Sequence, residues 1–145
     1  MTFVQRLARA QMVLGAGAVA VGVVGFVSAR HVAFNASIAP RLGPADLSLQ
    51  AMSLNRLAAL VVIGLGAVGV LAGATQRPIW GAVPAAGFAL LALQVLIQWR
   101  PAGTNWFASI GSNFSFSLLG CVGFAVTAGL ERTAATQDRL SQADP

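Results

Sequence analysis

Four long apolar stretches, each free of Asp, Glu, Lys and Arg, set the pattern of this chain: residues 10–29, 57–76, 78–99 and 101–130. Each is about 20 residues or longer, the length that carries a helix across ~30 Å of hydrocarbon at ~1.5 Å per residue. Four such stretches in 145 residues predict one domain of four transmembrane helices. The predicted fold is all-α: a four-transmembrane-helix bundle of up-down topology with a longer outer loop between helices 1 and 2. The helices are placed at about 8–29, 46–74, 78–99 and 105–130, making residues 1–130 the transmembrane domain and 131–145 a polar C-terminal tail.

The connections support that order. Thr75-Gln76-Arg77-Pro78 and Arg100-Pro101-Ala102-Gly103-Thr104 are too short for anything but antiparallel neighbours. Gly43-Pro44-Ala45-Asp46 reads as a helix start, with proline early and an acid in the first turn, so helix 2 is expected to begin near Ala45. Trp80 falls at one membrane face and Trp99 and Trp106 at the other, as an aromatic belt does. Arg6 and Arg9 ahead of the first stretch, with Val27-Ser28-Ala29 behind it, outline a secretory signal. The apolar core is longer than the ~7–15 residues of a signal, so a retained helix is expected.

Small residues recur at three- and four-residue steps: Gly15, Gly22 and Gly25 on helix 1, Gly66, Gly69 and Gly73 on helix 2, and Gly81 with Ala85 and Ala89 on helix 3. Such faces let membrane helices approach closely where no hydrophobic force drives them together. Pro84 interrupts the backbone bonding of helix 3 to the Trp80 carbonyl.

Polar residues at membrane depth gather around the last hairpin. Gln94 and Gln98 share a face near the end of helix 3, and Asn105, Ser109, Ser112, Asn113 and Ser117 form a stripe along the first half of helix 4. Depth counted from Trp99 and Trp106 puts the two stripes in the same outer leaflet. A buried amide without a partner costs roughly 2–7 kcal/mol, so the stripes are expected to face each other or a common third group. Three uses stay open: interhelical hydrogen bonds, a docking surface for another subunit's helix, or a site for a lipid headgroup or quinone.

Charge changes the picture little. The net charge is +5, but the basic residues are all Arg and sit singly at the boundaries of the apolar stretches, at headgroup depth. No basic patch for nucleic acid is formed. With both termini inside, Arg6, Arg9, Arg77, Arg132 and Arg139 are cytoplasmic and Arg30, Arg41, Arg56 and Arg100 are outside, a small excess that sets the expected orientation. Arg56, at the start of helix 2, is expected to snorkel outward or to pair with Asp46.

No charged residue is expected in mid-membrane, which argues against a pump or coupled transporter. His31 is the only histidine and Cys121 the only cysteine. Neither a two-histidine haem nor a metal-ligand cluster is expected, and neither a cofactor nor enzyme activity is predicted. Asn35-Ala36-Ser37 matches the glycosylation tripeptide, which a bacterial context voids.

Gly22-Val23-Val24-Gly25-Phe26 at the end of helix 1, Ser53-Leu54-Asn55-Arg56-Leu57 opening helix 2, and Thr104-Asn105-Trp106 opening helix 4 give the chain a further likeness. It resembles a class of small four-helix actinobacterial membrane proteins built around a domain of unknown function. The resemblance implies the fold and a location in the bacterial inner membrane, with no activity to carry over.

The expected function is therefore that of a non-catalytic accessory or structural subunit of a larger bacterial membrane complex, respiratory or part of the envelope-lipid machinery. Its partners would be membrane lipids and other integral membrane subunits. The alternative is a stand-alone binder or carrier of a lipid or quinone-like ligand at the outer-leaflet polar cluster. A homo-oligomer would use the same glycine faces.

Overall fold

The computed structural model describes residues 2–31, 34, 54–97 and 111–143. Among these residues there are four α-helices: α1 (Phe3–Ser28), α2 (Arg56–Thr75), α3 (Pro78–Ile97) and α4 (Gly111–Ala143), with a short 3-10 turn at Ala29–His31 after α1. All four are long and apolar enough to cross a membrane.

Local signals account for the ends that are described. Thr2 caps α1 in a reciprocal box: its hydroxyl accepts from the Gln5 N–H, and the Gln5 side chain accepts from the Thr2 N–H. Asn55 caps α2, its Oδ1 accepting from the Ala58 N–H at 2.8 Å. The described α-helix of the second span starts at Arg56, because the Asn55 backbone before it is extended. Residues 35–53, where the start expected near Ala45 lies, are outside the described residues. Gln76 closes α2 in the left-handed conformation at φ 52°, and only Arg77 follows before α3. Pro84 lies inside α3 and is buried.

The helices form a ring in which α1 packs on α2 and α4, and α3 on α2 and α4. The tightest seam is α1 on α2. A Cβ at Gly15 would lie 2.6 Å from the Gly66 carbonyl oxygen, and one at Gly66 would lie 2.7 Å from the Gly15 carbonyl oxygen. Gly22 faces Ala59 and Ile63, and Gly73 faces Ala8 and Met12, so the two helices run in opposite directions at backbone contact. Across the ring, Gly69 accommodates the Phe124 ring and Gly81 the Gln11 side chain. Gly25 is buried on the same face of α1. The small-residue faces are therefore occupied by helices of this chain. Ala89 is the exception, facing outward.

The centre is filled by Ala18, Val62, Ala85, Phe88 and Phe124. Phe88 stacks on Phe124 at 6.0 Å between ring centroids and meets Phe116 edge-on at 5.8 Å.

Candidate functional site

The α1–α4 seam closes the ring, and it differs in chemistry from the glycine seam opposite. Buried positions on α1 recur as Leu7, Ala8, Gln11, Gly15, Ala18, Gly22 and Gly25. On α4 they recur as Ser117, Phe124, Thr127, Ala128 and Glu131. Both sets follow the helical repeat, so Gln11 and Glu131 occupy core positions by register and not by accident of a loop.

Gln11 is fully buried and Glu131 is 2 % exposed. Gln11 Nε2 donates to Glu131 Oε2 at 3.3 Å, joining residues 120 apart in sequence. The amide oxygen of Gln11 and the second carboxyl oxygen of Glu131, Oε1 in each case, are buried without a hydrogen-bond partner. Gly81 of α3 makes the room: a Cβ there would lie 2.9 Å from Gln11 Nε2 and 3.0 Å from the Ala128 Cβ. Thr127, one turn before Glu131, turns its hydroxyl back to the carbonyls of Gly123 and Phe124 and adds no donor to the pair.

Glu131 was expected to open a partly helical polar tail. α4 continues through it to Ala143, and the membrane-length segment of that helix, Phe114–Gln137, contains it. The first acid after an apolar stretch resembles a tail boundary when the sequence is scanned for charge alone. Its seven-residue step from Phe124 is the signal that places it on the buried face. Gln11 escapes the same scan because it is uncharged.

Further along the same seam the helices part. A partly open apolar groove of about 340 Å³ lies between them. Val13, Leu14, Gly17, Ala18 and Val21 form one wall, Phe116, Leu119, Gly120 and Phe124 the other, and Phe88 of α3 also lines it. Gly17 opens its wall: a Cβ there would meet nothing within 4 Å.

At the opposite end of the bundle Arg56 is half-buried at the start of α2. Its guanidinium carbon lies 5.1 Å from the Phe26 ring centroid and 5.9 Å from that of Phe34, and its Nε is buried without a hydrogen-bond partner. Asp46, the other expected partner, is outside the described residues. Arg30 Nε donates to His31 Nε2 at 2.8 Å on the exposed surface.

Of the predicted outer-leaflet cluster, Gln94 is half-buried on α3. Gln98, Asn105 and Ser109 lie outside the described residues, and Ser112 and Asn113 are in the first turn of α4 with side chains outside them. Ser117 is buried. Among the described residues no group of three or more His, Cys, Asp or Glu side chains is assembled for a metal.

No family model, no curated protein and no solved structure matches this chain, so its site is read from its own residues alone.

Proposed function

We propose that this is a non-catalytic, multi-pass protein of a bacterial inner membrane that binds a lipid-like molecule, holding its apolar chain in the groove between α1 and α4. In the membrane the bundle runs up and down four times, with both termini on the cytoplasmic side. The groove carries this reading. Its volume falls at the low end of ligand pockets, its walls are aliphatic and aromatic, and it is partly open to the outside of the bundle. The packing of the glycine faces weighs against the accessory-subunit reading. That reading needs small-residue surface left over for a partner helix, whereas Gly15, Gly22, Gly66, Gly69, Gly73 and Gly81 are in contact within the chain.

The test is purification of the full chain in mild detergent, followed by mass spectrometry of retained lipid and protein. The wild type is expected to keep one lipid-like species near one per chain. Gly17→Leu fills open space in the groove wall and should reduce retention roughly tenfold through overpacking against the ligand. Gly64→Leu, equally open but not lining the groove, should leave retention unchanged. Unaltered retention in Gly17→Leu sinks the groove as the site. Stoichiometric protein partners without a retained lipid would replace this reading with the accessory subunit.

A further inference from the structure

The hydrogen-bond inventory at the ring-closing seam does not balance. Gln11 and Glu131 face each other across α1 and α4 through one bond, Nε2 to Oε2, while the Gln11 amide oxygen and the second Glu131 carboxyl oxygen are buried with no donor. An ionised carboxylate offers only acceptors, and an amide oxygen is an acceptor as well, so the ionised pair leaves both oxygens bare. Bare buried acceptors are expensive, and a bare buried charge more so. No cation relieves it among the described residues. Arg6 and Arg9 on α1, Arg77 between α2 and α3, and Arg132 beside Glu131 are all exposed, and α3 has no ionisable side chain.

We propose that Gln11 and Glu131 form a proton-holding site in which Glu131 is the neutral acid: Glu131 Oε1–H donates to Gln11 Oε1 while Gln11 Nε2 donates to Glu131 Oε2. One proton satisfies both bare oxygens and completes a two-bond acid–amide pair. Removing it leaves a charge and two buried acceptors without donors between α1 and α4, at the end of the seam beyond the groove. An ionisable side chain buried within a membrane-length helix marks a functional position by default, and here its partner is named. The site stands on the pair alone and does not depend on the ligand assigned to the groove.

Glu131 is the one glutamate in the sequence, so its carboxyl can be observed without interference. The full chain is made by cell-free synthesis with carbon-13-labelled glutamate and placed in lipid nanodiscs. Infrared difference spectroscopy against unlabelled chain then reads that carboxyl at neutral pH. The expected result is the carbonyl stretch of a protonated acid, lost in Glu131→Gln and shifted to higher frequency in Gln11→Met, where its acceptor is gone. Carboxylate bands in place of the acid band in the wild type would overturn the proposal without recourse to any variant. An acid band that Gln11→Met leaves unmoved would overturn the pairing.

Discussion

Gln11 is one uncharged polar residue on an otherwise apolar and small face, and its consequences are set by what it meets. Its amide is the single donor reaching Glu131 among the described residues. Replacing it with leucine strips that donor and leaves the carboxyl wholly unsatisfied, which costs about 1–3 kcal/mol. Replacing both partners with leucine removes the mismatch. The prediction is a non-additive cycle: the Gln11→Leu, Glu131→Leu double variant is more stable than the two single effects sum to, by about 0.5–2 kcal/mol. Thermal unfolding of the four proteins in one detergent checks it, and simple additivity would show that the two side chains do not act as a unit. Arg56 makes the companion point. Its place at the start of an apolar stretch was legible, but Phe26 and Phe34 come to it from outside its own helix, so a local reading offered the headgroups or Asp46 and not these rings.

At the scale of the element, the glycine spacing was legible and its partner was not. Gly15 and Gly22, or Gly66 and Gly73, define a face by helical repeat alone. Whether that face meets a helix of the same chain or of another is a question of three-dimensional arrangement. In the bundle Gly15 and Gly66 block each other's Cβ positions with backbone atoms, which have no rotamer by which to yield. Gly66→Val is therefore expected to force α1 and α2 apart and cost about 1–3 kcal/mol. Gly64→Val, two residues away and pointing into open space, should be near neutral. Unfolding in detergent with helicity monitored separates the two. The start of α2 at Arg56 is fixed by a local signal, the Asn55 Oδ1 accepting from the Ala58 N–H, while Gly43-Pro44-Ala45-Asp46 lies outside the described residues.

For the whole molecule, the contacts of Gly73 with Ala8 and of Gln11 with Glu131 bring residues near the start of α1, the end of α2 and Glu131 of α4 together. Single cysteines test what that implies in a membrane. In a Cys121→Ala background, Thr2→Cys, Gln76→Cys and Leu140→Cys, all at exposed positions, should react with an impermeant thiol reagent from the same side. Phe34→Cys, also exposed, should react from the other. Thr2→Cys and Gln76→Cys reacting from opposite sides would refute the up-down arrangement.

The four apolar stretches, their length against the bilayer and the small-residue faces were all determined by the sequence alone. Each depends only on composition and on the repeat of a single helix. Tertiary structure decided which faces meet. It turned the glycine faces inward on one another, opened a groove where α1 and α4 part, and set Gln11 against Glu131 across most of the chain length. Those outcomes depend on the relative rotation of helices far apart in sequence, and no periodicity within one helix carries that angle.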